Sequence, residues 1–334
     1  MKKIAGLAAA GLLAIGSAKA GTLTVANSDL EMSGGITAGY FYTTNIRNSA
    51  TASDTNNDYF TVSTFAIDLT SKINSMIGFT AGFGSTVQSD LLEVHKSAEG
   101  FELEYGWVSI RPVEGLTIDA GILLTNIGYE LYHTYDNKNY TFGMVWWGQP
   151  VNYAGARATY TVAEGIDVYA EYGQNVLNTS DAFAVGSLGS VQNISYAISY
   201  FDESSGVNMV DVVLSTDVEG IELGINADYQ WLDDSAPGND DTAYGIALYA
   251  SAKMDVFEIP VRIEYVNDGT SGIYGIAGDD AWSFTITPTY KPSENTFVRA
   301  EFAYVNTDDK GFYDDDGNAK DSRTFIGVEA GFMF

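Results

Sequence analysis

Residues 322–334 read Ser-Arg-Thr-Phe-Ile-Gly-Val-Glu-Ala-Gly-Phe-Met-Phe and end the chain. Counted back in twos from the end, Phe334, Phe332, Ala330, Val328 and Ile326 are all apolar. The positions between them include Glu329, Gly331 and Gly327. A period of two means a strand with one apolar face and one polar or small face. A C-terminal strand of a soluble sandwich alternates in the same way, so the rest of the chain decides what the apolar face meets.

The pattern recurs along the chain. Ile36, Ala38, Tyr40 and Tyr42 alternate with Gly35, Thr37 and Gly39. Phe65, Ile67 and Leu69 follow, then Ile77, Phe79, Ala81 and Phe83, then Phe101, Leu103, Tyr105 and Trp107, then Leu116, Ile118, Ala120 and Ile122. Ile221, Leu223, Ile225, Ala227, Tyr229 and Trp231 alternate with Glu222, Gly224, Asn226, Asp228 and Gln230, over the length of a tilted membrane strand. Arg262 and Glu264, then Arg299 and Glu301, take the polar face of later strands. Such charges are hard to place in a sandwich core and natural against a water-filled lumen.

The connections alternate too. Short turns such as Pro112-Val113-Glu114-Gly115, Val162-Ala163-Glu164-Gly165 and Asp217-Val218-Glu219-Gly220 are separated by long polar loops. In an outer-membrane barrel the short turns face the periplasm and the long loops face outward. Only the stretch 174–217 is ambiguous, because Ala182-Phe183-Ala184-Val185-Gly186 is a poor strand. Accepting it gives about sixteen strands; rejecting a pair gives about fourteen. The fold expected is all-β: a closed antiparallel transmembrane β-barrel.

Composition sets outer limits. Met1-Lys2-Lys3, a short apolar run and Ala18-Lys19-Ala20 make a secretory signal peptide. The expected organisation is therefore a cleaved 1–20 segment and a single barrel domain over 21–334. The apolar run is too short to span a membrane as a helix, so a membrane form must be a barrel. Net charge is −28, and loss of Lys2, Lys3 and Lys19 takes it to −31. That acidity argues against nucleic acid, whose phosphates need clustered Lys and Arg, and it favours cations. There is no Cys, so no disulfide holds the fold.

The cleaved signal, alternating strands, repeated short turns and terminal Phe334 resemble Gram-negative outer-membrane porins over the whole mature chain. In the middle, Gly121-Ile122-Leu123-Leu124-Thr125-Asn126-Ile127-Gly128-Tyr129-Glu130 leads into a long loop with Asn139-Tyr140. Gln149-Pro150-Val151 and Gly155-Ala156-Arg157 follow. This order is similar to the OmpL-like β-barrel porins. The resemblance implies passive diffusion of small hydrophilic solutes, with no cofactor. Phe332 and Phe334 resemble the signal read by the barrel assembly machinery. Outer-membrane lipid and lipopolysaccharide are the implied surroundings. Many porins are trimers, which leaves a homotrimer open, and no residue marks a subunit contact.

Candidate pore residues follow from the polar faces: Asp119, Arg157, Glu222, Asp228, Arg262, Glu264, Arg299, Glu301 and Glu329, with Asp167 and Glu171. Carboxylates outnumber Arg, which implies cation preference. The alternative is that Arg262 and Arg299 only neutralise carboxylates on adjacent strands. The connection 125–150 carries Glu130, Asp136 and many aromatics, among them Tyr129, Tyr132, Tyr140, Trp146 and Trp147. A solvated outer loop would not hold so many. It reads as an inward loop that narrows the pore, or else as a loop packed on the rim. Acidic loops such as Asp314-Asp315-Asp316-Gly317-Asn318 are oxygen-rich but miss EF-hand spacing, and read as solvated. With only His95 and His133, and no Cys, no enzyme or transition-metal site is indicated. A structural or adhesive barrel with an occluded lumen is the alternative to a porin.

Overall fold

A computed structural model describes residues 21–22, 30–47, 49–50, 56–71, 76–97, 100–174, 180–204, 206–234, 237 and 239–334. The segment 1–20 expected to be a signal peptide lies outside the described residues. Alternation produces strands throughout. In order they are β1 Leu30–Thr43, β2 Asp58–Ser71, β3 Ile77–Thr86, β4 Glu102–Val113, β5 Leu116–Leu124, β6 Asn152–Ala163, β7 Ile166–Gln174 and β8 Asp181–Val191. Then come β9 Ile194–Glu203, β10 Val207–Val218, β11 Ile221–Leu232, β12 Thr242–Met254, β13 Phe257–Asn267, β14, β15 Thr296–Thr307 and β16 Ser322–Met333. β14 is one wall strand in two pieces, Asp280–Ile286 and Thr289–Ser293. Pro288, between the pieces, has no N–H to give the ladder.

Each strand pairs antiparallel with the next, and β16 pairs with both β15 and β1. The result is a closed sixteen-stranded barrel. The poor segment 182–186 is part of β8, which decides between sixteen and fourteen. The terminal stretch is thus the closing strand. Ala330 lies opposite Ala38 on one side and Val298 on the other. The backbones of Phe334 and Gly34 exchange hydrogen bonds of 2.9 and 3.1 Å at its end. No described helix is long and apolar enough to cross a membrane; the strands do so, with their backbone groups paired around the ring.

The two faces sort as alternation requires. Ile36, Tyr40, Leu223, Ile263, Phe302, Ile326, Val328 and Phe332 are exposed on the outside. Arg262, Glu264, Arg299, Glu301 and Glu329 are buried inside. Outward aromatics flank the apolar band at both ends: Tyr40, Tyr229, Tyr244, Tyr265 and Trp282 towards the loops, Tyr160, Phe257 and Tyr290 towards the turns. These are the interfacial girdles of a membrane barrel. The inner glycines of β16 make room for lumenal rings: a Cβ on Gly327 would stand 2.6 Å from the Phe41 ring, and one on Gly331 2.3 Å from the Phe297 ring.

Two expectations need correction. Tyr105 and Trp107 do not share a face with Leu103. The register shifts between Leu103 and Tyr105, so Glu104 is an extra residue in β4. A bulge of this kind turns every later side chain over. Tyr105 therefore points inward, donating to Asp68, and Val108 and Ile110 take the outer face. Loop length also sorts less cleanly than the sequence suggests. The connections 175–180 and 204–206 are short, although they lie at the long-loop end. At the other end the turns are tight. Glu219-Gly220 joins paired Val218 and Ile221 with φ of 55° and 84°, the two positive angles of a type I′ hairpin.

An outward charge tests the lipid face. Ile263→Arg is expected to cost about 2–4 kcal/mol of folding free energy in bilayers, read by denaturant titration of vesicle-embedded protein. An unchanged midpoint would mean that this face does not meet lipid.

Candidate functional site

The connection from β5 to β6, residues 125–150, turns into the barrel and crosses it. It carries one helical turn, α1, Met144–Trp147. Most of its anchors are to the inner wall, and the Phe142 N–H donates to the Ser89 carbonyl of the β3–β4 connection at 3.0 Å. The Gly128 N–H donates to Asp211 on β10 at 3.1 Å, and the Tyr129 N–H to Asn226 on β11 at 3.2 Å. On β13, Arg262 pairs with Glu130 at 2.5 Å and donates to the Thr141 carbonyl at 2.7 Å. Val145 N–H donates to Glu264 at 3.1 Å. On β15, Glu301 accepts from the Tyr140 N–H (2.5 Å), the Thr141 N–H (2.9 Å) and the Thr141 hydroxyl (2.7 Å). Arg299 donates to the carbonyls of Asn137 and Thr134 at 2.8 and 3.0 Å. Lys138 pairs with Glu222 at 2.9 Å and with Glu258. His133 reaches Glu104 on β4 at 3.0 Å.

Each bond to a charged group contributes about 1.5–3 kcal/mol, so the loop is held by many strong contacts. Apolar packing adds to them. The Tyr140 ring stacks on Phe41 with centroids 4.2 Å apart and also on Phe325. Tyr140, Met144 and Val145 lie in a cluster with Ala243, Ala247, Ala281 and Ala303 from the inner wall. Small wall residues leave the space that the loop fills. A second inner cluster, with Ile127, Tyr153, Leu188, Phe201, Met209 and Val213, makes the β6–β10 wall apolar.

Burial shapes the loop's titratable groups. Burial alone would lower the His133 imidazole, but Asp136 and Glu104 hold it protonated up to about 10. Asp136 Oδ2 stands 3.7 Å from Nδ1, an ion-pair separation longer than a hydrogen bond, while the Tyr135 hydroxyl occupies Nδ1 at 3.1 Å. Burial pushes the Glu130 carboxyl up, and Arg262 opposes it. Burial likewise opposes the Lys138 charge, yet Glu258 and Glu222 raise it.

The structure therefore brings most of the sequence candidates together. Glu222, Asp228, Arg262, Glu264, Arg299 and Glu301 on the wall all contact the loop, and Glu130 within it accepts from the Gly143 N–H and pairs with Arg262. Glu329 joins through Arg299, its direct cross-strand partner, at 2.6 Å. Arg262 has two carboxylates, Glu130 and Glu264, so both Arg residues neutralise neighbours while also gripping the loop. Asp119 and Arg157 lie apart from this group: Arg157 pairs with Glu171 at 2.6 Å, and Asp119 accepts from Ser109 at 2.5 Å. Asp136 is exposed. Phe332 faces outward and Phe334 ends the closing strand. The acidic loop at Asp314 is satisfied locally: Asn318 and Lys320 hold the Asp314 carboxyl down to about 2. Among the described residues, no group of three or more His, Cys, Asp or Glu is arranged to hold a metal.

Sequence reasoning missed Glu104, Asp211, Glu258, Lys138 and Gln149. Asp211 shares its face with Met209 and Val213, so that face did not read as polar. Outward Val210, Val212 and Leu214 were the available signal. Between the loop and the β4, β8 and β9 wall lies a cavity of about 220 Å³. Tyr132, His133, Asp136 and Trp146 line it from the loop, and Tyr105, Ser195 and Tyr196 from the wall.

A family model described as beta-barrel porin-2, OmpL-like, matches residues 29–334. The chain belongs to this family. It is a channel-forming barrel of the cell outer membrane. Solved porins share its fold at low identity. OmpT of Vibrio cholerae aligns at TM-score 0.64 and 11% identity, over 94% of this chain and 100% of that one. The outer membrane channel DcaP of Acinetobacter baumannii gives 0.64 and 10%, over 94% and 100%. The anion-selective porin from Comamonas acidovorans gives 0.63 and 12%, over 92% and 100%. In vitro folded OmpT is also described in a trimer form. Comparison with the curated proteins gave no match.

The His133 anchor has a pH signature. Its folded pKa of about 10 lies above the ordinary 6.5, so its stabilisation is complete below 6.5 and is lost as pH rises through 10. The unfolding midpoint of wild type minus that of His133→Gln is expected to be largest below pH 6.5 and to vanish above about pH 10. A difference independent of pH would mean that the imidazole is held neutral.

Proposed function

We propose that this porin gives passive diffusion to small hydrophilic solutes and ions, and that it prefers cations. The observation that carries the reading is the loop 125–150. It lies inside the barrel, held from several sides, and leaves a cavity edged by hydroxyls, aromatics and carboxylates. A loop fixed at this depth sets the width of the passage and the field within it. Arg262, Arg299 and Lys138 are engaged by Glu130, Glu264, Glu329, Glu222 and Glu258. The exposed Asp136 has no Lys or Arg pair among the described residues, only the His133 imidazolium that it shares with Glu104, and the whole chain carries −28. Anions are repelled on both scales.

In this reading residues 1–20 are removed on export and the mature chain starts at Gly21. Phe332 and Phe334 present the closing strand to the barrel assembly machinery. The outer aromatics sit among lipid and lipopolysaccharide headgroups. A homotrimer is the proposed assembly, by likeness to the trimer form of OmpT. The protein performs no chemistry on its solutes.

Planar-bilayer recording of the refolded chain across a salt gradient tests this. Stable steps with a reversal potential on the cation side are expected. Steps with an anion-side potential would overturn the selectivity while keeping the pore. A folded barrel that gives no steps would overturn diffusion and leave an occluded structural barrel.

A further inference from the structure

Asp211 and Asp228 are direct cross-strand neighbours on β10 and β11. Both point inward and both are buried. Like charges in this position repel, and a buried carboxylate needs a counter-charge. For Glu264, Glu329, Glu171, Glu222 and Glu258 the interior supplies an Arg or Lys, whereas Glu301 is met by the N–H and O–H groups of Tyr140, Thr141 and Thr287. Among the described residues, no Lys, Arg or His pairs with Asp211 or Asp228. What reaches them is neutral: the Gly128 N–H and the Gln149 amide from the loop, and the Asn226 side-chain amide, which donates to Asp211 from the wall.

The geometry around that amide is unusual. Gln149 Nε2 lies 3.0 Å from both Asp228 oxygens, 2.9 Å from Asn226 Oδ1 and 3.4 Å from Asp211 Oδ2. Four oxygens converge on one nitrogen that has only two hydrogens to give. The other end of the same amide, Gln149 Oε1, is buried and makes no hydrogen bond. The residue is 8% exposed. Gln230, next on the inner face of β11 after Asp228, is 0% exposed, and neither its oxygen nor its nitrogen has a partner. The Tyr274 hydroxyl is also unpartnered. It stands 2.7 Å from the place of a Cβ on Gly245, the residue opposite Asp228.

We infer that Asp211, Asp228 and Asn226, with Gln149, form a divalent cation site of Ca²⁺ type that ties the loop to the wall. Two carboxylates match two positive charges. The donors are all hard oxygens, the ligand set that Ca²⁺ takes at about 2.3–2.6 Å. Turning the Gln149 amide over brings its orphaned Oε1 into the cluster as a further ligand and removes the surplus of acceptors. Gly128 N–H, on Asp211, and Tyr129 N–H, on Asn226, hold the cage from the loop side. The site is distinct from the exposed acidic loops, and it does not depend on what crosses the channel.

The test uses the full refolded barrel stripped with EDTA, with Ca²⁺ alone as the probe. Ca²⁺ is expected to raise the wild-type unfolding midpoint by on the order of 5 °C, and calorimetry should show one tight site. Asp211→Asn with Asp228→Asn should abolish both. Gln149→Glu places a third carboxylate there, and should weaken the stripped barrel while enlarging the Ca²⁺ shift. This second variant decides the matter if the double variant does not fold. No Ca²⁺ shift, with stripped wild type stabilised by acid instead, would mean that the pair shares a proton and would overturn the site. A shift that persists in the double variant would assign Ca²⁺ to the surface loops and overturn it equally. Neither result bears on conductance.

Discussion

In hydrocarbon no water is available to a peptide group, so every spanning N–H and C=O must find its partner within the chain. For strands this has one solution, a ring with no free edge. The pairing of Ser322–Met333 with both Leu30–Thr43 and Thr296–Thr307 is the contact that closes the ring. The alternation of β16 follows from that position. Val328 and Ile326 must meet lipid, Glu329 must not, and Gly327 and Gly331 must leave room for Phe41 and Phe297.

A ring of sixteen strands is too wide for wall side chains to fill. Here a chain segment occupies the interior. Residues 125–150 bring backbone amides and carbonyls into a low-dielectric space, and each needs a partner there. The wall supplies them in charged form: Glu301 for the Tyr140 and Thr141 amides, Arg299 for the Thr134 and Asn137 carbonyls, Arg262 for the Thr141 carbonyl. The inner charges therefore do two things at once. They cancel one another, which limits the cost of burial, and they fix the loop at one depth. Beside the loop, against the β4, β8 and β9 wall, a cavity of about 220 Å³ remains.

The outer face was almost fully legible. Lipid contact demands apolar side chains every second residue, and Ile221 to Trp231 or Trp282 to Ile286 could not be read otherwise. The inner face was legible only where it carries charge. Alanines at 243, 247, 281 and 303 suit either face, so nothing in their pattern marks them as making room for Tyr140, Met144 and Val145. Asp211 was hidden between Met209 and Val213. The bulge at Glu104 reversed the faces of β4, because one extra residue leaves no local mark when Tyr105, Trp107 and Val108 are all large and apolar. The aromatic content of 125–150 did point inward. Its partners could not be foreseen, because they come from strands that are far away in sequence.

In the proposed function the inner loop sets the passage. The direct measurement is single-channel conductance of a barrel in which residues 127–148 are replaced by a short Gly-Ser linker, recorded beside wild type in the same salt. If the loop is the constriction, the shortened protein conducts several-fold more and loses most of its ion preference. If conductance and preference are unchanged while the barrel remains folded, the passage runs elsewhere and the loop is only a filling of the interior.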